Sequence, residues 1–277
     1  MQRAILDGIS LEYEDSGTGE PIVLIHGAFI AHIFRTLVAE PRLSDRYRLI
    51  TYARRGYAGS SGSPGVTTVA HHAADCRALL SHLGVERAHV VGHSFGGCVA
   101  LQLALDAPEV VHSLALLEPA LMVGASAQSY RESLARGIQR YRDAGAAVAV
   151  DESLKARWPG YREALDQALP GAFAQAVADA RNCFETDLPG LLEWSFGEAH
   201  ARRITGPVLA VLGGESNALW PRFGETHQLL LEWLPGAEGS ILPGVTHFLQ
   251  VEEPRGMAEL LADFFASHLI SSSSAAM

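Results

Sequence analysis

Cysteine is scarce: Cys76, Cys98 and Cys183 are the only three in 277 residues, an odd number at unrelated spacings. That excludes a disulfide framework and a zinc site of recognised ligand spacing, and it suits a reducing, cytoplasmic compartment. Basic stretches are missing as well. Lys and Arg number 21 against 31 Asp and Glu, a formal charge of −10, so nucleic acid is not expected as a partner. No run of about 18 apolar residues occurs, and no basic region followed by an apolar core opens the chain, so neither a membrane span nor a secretory signal is expected. No Gly-x-Gly-x-x-Gly follows the first apolar run, which leaves a dinucleotide cofactor unsupported. The 12 histidines show no metal spacing: His71 and His72 are adjacent rather than four apart, and His89 and His93 flank a turn. The reading is therefore no metal and no cofactor, with a small molecule as ligand and a homodimer left open.

What is present points to a folded globular chain, 48% apolar and long enough for one large domain or one domain with an insertion. Apolar runs at Pro21–Ile25, Tyr47–Tyr52, Ala88–Val91 and Ser113–Leu117 alternate with helical patterns over 67–83 and 97–107. That order implies an α/β fold, a doubly wound and mostly parallel sheet. From about Leu121 to Arg203 the strand pattern stops. Tyr130, Leu134, Ile138 and Tyr141 mark one helix face, and Leu165, Leu169 and Phe173 mark another, broken by Pro170-Gly171. Strand character resumes at 207–212 and 240–242, with helices over 224–234 and 255–268. The core is thus expected over 1–120 and 204–270, a helical insertion over 121–203, and a frayed tail over 271–277.

The chemistry centres on Gly92-His93-Ser94-Phe95-Gly96. Between a buried strand and an apolar-faced helix, Gly-x-Ser-x-Gly is the nucleophile-elbow pattern, a sharp turn that exposes the Ser hydroxyl while the glycines leave room for it. Ser94 is the candidate nucleophile. Such a Ser needs a base in hydrogen-bond reach. His247 follows the last strand, and loops at the carboxyl ends of a parallel sheet share one crevice, so His247 is the candidate base.

Taken with His26-Gly27 after an early strand, Arg54-Arg55-Gly56-Tyr57-Ala58-Gly59-Ser60 after the next, and Gly244-Val245-Thr246-His247 near the end, the chain resembles the α/β-hydrolase fold family over nearly its whole length. The resemblance implies that the helical insertion is a cap over the active site and that nucleophile, acid and base follow in that order. The late position that usually carries the acidic Asp is Ser216 here. Two acids stay open: Glu118, just after the strand following the elbow helix, and Glu215, beside Ser216. The oxyanion hole would use the backbone N–H of Phe95 and of Ala28, with that of Phe29 as a lesser choice. Ala53 and Ala58 depart from the usual Asp and Gly of the second loop, which puts that loop's shape in question. Pocket candidates are Phe29, His32, Phe95, Trp194, Phe196 and Phe248, and no cationic cluster is visible in the insertion. The implied activity is hydrolysis of a small, largely apolar carboxylic ester or related acyl compound. Carbon–carbon bond hydrolysis, a cofactor-free lyase, cyclase or epoxide-opening reaction, and a non-catalytic receptor remain alternatives.

Overall fold

The computed structural model describes residues 1–62 and 64–270, so the tail expected over 271–277 lies outside the described residues. The apolar runs become strands β1 (Gln2–Leu6), β2 (Ile9–Ser16), β3 (Glu20–Ile25), β4 (Tyr47–Tyr52), β5 (Ala88–His93), β6 (Val111–Leu117), β7 (Val208–Gly213) and β8 (Glu238–Leu242). They pair into one sheet in the order β1-β2-β4-β3-β5-β6-β7-β8. The β1/β2 and β2/β4 pairs are antiparallel and every other pair is parallel. Every residue of β5 and β7 is buried, as expected of parallel strands covered by helices on both faces.

The first two strands have no counterpart in the reading of the sequence. They are joined by Asp7-Gly8, where both residues adopt positive φ, 48° and 82°. That is the conformation a two-residue type I′ hairpin turn needs. Helix Val69–His82 starts at Thr68, whose side chain accepts from the His71 N–H while the His71 ring accepts from the Thr68 N–H. This reciprocal cap satisfies two donors that an unfinished helix end leaves open.

Residues between β6 and β7 are helical throughout their longer segments, including Ala127–Ala144, Ala146–Lys155, Tyr161–Ala168, Ala172–Ala178 and Leu188–Glu193. A π-helical turn, Cys183–Asp187, interrupts the series. Tyr130, Leu134 and Ile138 are the buried stripe of the first helix, and the chain breaks between Ala168 and Ala172 at Pro170-Gly171. Among the described residues, no helix is long and apolar enough to cross a membrane.

Strand order places the site. From β3 the chain moves to β4 on one side, then returns to β5 on the other. Loops after β3 and β5 therefore part in opposite directions and open a crevice at the carboxyl ends of the strands. The segment that follows β3 and the elbow that follows β5 both face this crevice.

Candidate active site

Ser94 stands between β5 and helix Phe95–Asp106 with φ 53° and ψ −117°. A non-glycine residue in that region is strained, and it persists only where the surroundings enforce it. Here they do: the Ser94 N–H donates to the Leu117 carbonyl at 2.9 Å, and its carbonyl accepts from the Gly97 and Ala120 amides at 3.0 Å each. The glycines are needed for contact. A Cβ on Gly96 would run into the Ile25 carbonyl, and one on Gly92 would lie 2.5 Å from the Gly96 carbonyl oxygen.

Pairing of His93 with Leu117 across β5 and β6 brings Glu118 to the strand end beside the elbow. Glu118 also has positive φ, 45°. Its Oε1 accepts from the Gly213 amide at 2.7 Å, and its Oε2 accepts from His247 Nδ1 at 2.7 Å. No helix begins at Pro119, so the carboxylate answers to the imidazole and an amide rather than to a helix dipole. Glu215 is exposed at the residue before the short helix Ser216–Leu219, with no capping bond from its side chain; no hydrogen bond or ion pair joins it to His247 among the described residues. Ser216 is fully buried near Glu118 without completing a hydrogen bond of good geometry.

His247 and Ser94 line one cavity of about 330 Å³. No hydrogen bond joins them among the described residues. With Nδ1–H committed to Glu118, the Nε2 lone pair of His247 is the acceptor left over. His93 Nε2–H holds the His247 carbonyl at 2.8 Å, and Glu252 Oε1 receives the Thr246 and Phe248 amides at 3.0 and 3.2 Å. Burial sets the titration of the pair. It pushes the Glu118 carboxyl up to about 7, opposed by Ser216, the Gly213 amide and Arg222. Burial, reinforced by Arg222 and Arg157, holds His247 well below the ordinary histidine range. His93, buried against His247, is pushed down to about 3.

The backbone N–H groups of Ala28, after β3, and of Phe95, at the helix start, are among those at the crevice without a backbone acceptor among the described residues. Both residues line the cavity. Phe29 has φ 73° and also lines the cavity.

Of the pocket residues read from the sequence, Phe29, Phe95 and Phe248 lie on the cavity wall. His32, Trp194 and Phe196 do not, and those three expectations are corrected. His32 points to Glu12, 3.7 Å away. Trp194 Nε1 donates to Gln102 on the elbow helix at 2.7 Å, with Phe196 stacked on its ring. Tyr130, Phe184 and Trp220 form the aromatic wall instead. Tyr130 and Phe184 come from the helical insertion, and Trp220 from the segment after β7. A further correction concerns charge: Arg136, Arg140, Arg157 and Glu152 also line the cavity. Arg136 and Arg140 are one helical turn apart on Ala127–Ala144, and Arg157, just past the end of Ala146–Lys155, joins them only through the packing of that segment. Arg140 is paired with Glu152 at 2.7 Å.

Two buried arginines lie close behind the wall. The guanidinium of Arg222 has no hydrogen-bond partner among the described residues. It rests instead on the rings of Tyr130 at 3.9 Å and Phe223 at 4.1 Å, and Phe223 in turn packs 4.8 Å from the His247 ring. Arg54, fully buried, pairs with Asp187 at 2.7 Å. Asp187 also receives His72 Nε2 at 2.9 Å and the Tyr57 hydroxyl at 3.0 Å. Despite the cost of burial, Arg54 and His72 pull its carboxyl down to about 2. All three cysteines are free and buried, and burial pushes each thiol up to about 12.

Comparison with known proteins agrees with this architecture. Residues 20–254 match the family model for the alpha/beta hydrolase fold. The dihydrolipoyllysine-residue acetyltransferase component of the acetoin cleaving system of Cupriavidus necator is 30% identical over 94% of this chain and 67% of its own length. The 2-hydroxymuconate semialdehyde hydrolase of Pseudomonas putida is 28% identical over 94% of this chain and 92% of its own. Several other curated relatives match over only 40–42% of their length. Among solved structures, a thermophilic esterase from Thermogutta terrifontis superimposes with a TM-score of 0.82, covering 97% of this chain and 100% of that one at 22% identity.

Proposed function

The chain belongs to the α/β-hydrolase fold family, and from that premise we propose that it is a serine hydrolase of small, largely apolar carboxylic esters or related acyl compounds. The observation that carries the reading is the Glu118–His247 hydrogen bond of 2.7 Å beside a strained Ser94 on the same cavity. In this mechanism Ser94 Oγ attacks the substrate carbonyl while His247 Nε2 takes its proton. Glu118 holds the imidazole in the Nδ1–H form and stabilises the imidazolium. The Ala28 and Phe95 amides receive the negative charge that develops on the carbonyl oxygen. The tetrahedral intermediate collapses as His247 returns the proton to the leaving alcohol. Water, deprotonated by the same imidazole, then attacks the acyl-enzyme and releases the carboxylic acid. A depressed His247 keeps the base form available at neutral pH.

Residues 121–203 act in this reading as a cap that closes the acyl pocket. The wall of Tyr130, Leu134, Phe184, Leu188 and Leu191 suits an apolar acyl chain. A second reading, hydrolysis of a carbon–carbon bond in a dicarbonyl compound, is favoured by the near full-length match to a 2-hydroxymuconate semialdehyde hydrolase; the same three side chains would serve it.

The test is labelling by a fluorophosphonate probe together with turnover of p-nitrophenyl butyrate and of a vinylogous 1,5-dicarbonyl. Wild type should label and cleave the ester, and Ser94→Ala should do neither. Labelling that survives Ser94→Ala would remove Ser94 from the mechanism. Dicarbonyl turnover in the absence of ester turnover would select the second reading.

A further inference from the structure

Arg54 is placed where its charge reaches both halves of the proposed oxyanion hole. Its Nη2 donates to the Gly27 carbonyl at 3.0 Å and its Nε to the His26 carbonyl at 3.1 Å. Its own backbone N–H donates to His26 Nε2 at 2.9 Å. With Nε2 an acceptor, the His26 proton lies on Nδ1, which donates to the same Gly27 carbonyl at 2.7 Å. The guanidinium carbon lies 4.3 Å over the ring of Phe95 and 4.8 Å over that of Tyr57.

The consequence follows from peptide geometry. The Gly27 carbonyl and the Ala28 N–H are opposite ends of one planar trans unit, so fixing the first fixes the direction of the second. Two donors, one of them charged, hold that carbonyl on the buried side. The Ala28 N–H is thereby turned toward the cavity that Ala28 lines. A charged donor on the carbonyl also polarises the amide, which strengthens its N–H as a donor. The second amide, at Phe95, belongs to the residue whose ring lies under the same guanidinium.

We propose that Arg54 is a positioning residue for the oxyanion hole, and that Asp187, at the end of the π-helical turn in the helical insertion, locks Arg54 in place and so ties the cap to the catalytic loop. This rests on the proposed hydrolase reading. Asp187 meets Arg54, Tyr57 and His72 across 115 to 133 residues of sequence. A π-turn inside an otherwise α-helical series is a feature concentrated at functional sites. Arg54 therefore acts through backbone it never shares with substrate.

The test uses two variants, because removing one buried charge alone can unfold the protein. Arg54→Met/Asp187→Leu deletes both charges together. Arg54→Lys keeps a cation beside Asp187 but cannot reach Asp187 and the His26 and Gly27 carbonyls at once. For both, Ser94-dependent ester hydrolysis is measured alongside the affinity for a trifluoromethyl ketone, which forms a tetrahedral oxyanion, and for the product carboxylic acid. The expected result is a loss of kcat of about 10–100-fold, an equal loss of trifluoromethyl ketone affinity, and nearly unchanged KM and product affinity, with circular dichroism preserved. A folded variant of either kind that keeps wild-type kcat, or that loses ketone and product affinity alike, overturns the proposal. If Ser94→Ala itself leaves turnover intact, the hydrolase reading has failed, which is a different outcome.

Discussion

Replacing Glu118 by Gln exchanges one carboxylate oxygen for an NH₂ group, and the surroundings decide which one. The Gly213 amide donates to Oε1 at 2.7 Å in a buried site, so the acceptor oxygen of Gln must stay there or leave that amide unpaired at about 1–3 kcal/mol. The NH₂ group is then forced toward His247 Nδ1. That nitrogen can meet it only as an acceptor, which moves the imidazole proton to Nε2 and removes the lone pair that would take the Ser94 proton. The histidine is held in the wrong tautomer, a change known in serine proteases to lower kcat about 10⁴-fold, or about 5 kcal/mol at 1.36 kcal/mol per tenfold. KM should stay near wild type, because the pocket wall is untouched. Steady-state ester hydrolysis by purified Glu118→Gln and Glu215→Ala reads both values. The reasoning is refuted if Glu118→Gln keeps kcat within about tenfold of wild type, or if Glu215→Ala costs as much.

Other outcomes follow from the same geometry. Below a pH of about 7, set by the raised Glu118 carboxyl, kcat/KM should fall through one apparent pKa that belongs to the Glu118–His247 pair. A wild-type limb near 4.5 would contradict this, and in Glu118→Gln the limb should move to lower pH. Because Glu118 holds its proton more tightly folded than unfolded, its contribution to stability declines as pH rises from about 4.5 to about 7. Glu118→Gln should therefore melt higher than wild type at pH 8, with the difference gone by pH 4 in calorimetry. Asp187→Asn should lose about 3–5 kcal/mol in urea titrations at neutral pH, since Arg54 is left buried without its counter-charge. Trp194→Phe, being off the cavity, should leave kcat and KM unchanged; a raised KM would return Trp194 to the pocket.

The parts of the site legible in the sequence are those bound to strand ends. Ser94 and Glu118 stand at the ends of β5 and β6 and His247 in the connection after β8, so the topology of a parallel sheet brings them to one side, while the choice between Glu118 and Glu215 needs the hydrogen bonds of the folded chain. The hairpin of β1 and β2 is hard to read although Asp7-Gly8 carries its turn chemistry, because β1 is short and only Ala4 on it is well buried. The pocket wall is hidden for another reason. Trp194 and Phe196 are as aromatic as Tyr130 and Trp220, and only helix packing decides which ring faces the cavity. Arg157 joins the i, i+4 pair Arg136 and Arg140 only through the same packing. Arg54 and Asp187, separated by 133 residues, meet only through the docking of the insertion onto the loop after β4, which no periodicity announces.

The site is built from members of unequal permanence. The amides of Ser94 and Ala120 are tied to Leu117 and Ser94, and that of Glu118 to Val211, so Ser94 and Glu118 are woven into the sheet's own ladder at its carboxyl end. Their hydrogen exchange should require opening of the whole sheet. His247 lies outside that ladder: Glu252 Oε1 takes the amides on either side of it, His93 Nε2 holds its carbonyl and Glu118 its Nδ1, so side chains rather than paired strands keep it in place. Mild denaturant should therefore unhook His247 while the sheet still protects Ser94, and on the proposed mechanism activity would vanish reversibly at a concentration where the fold remains whole.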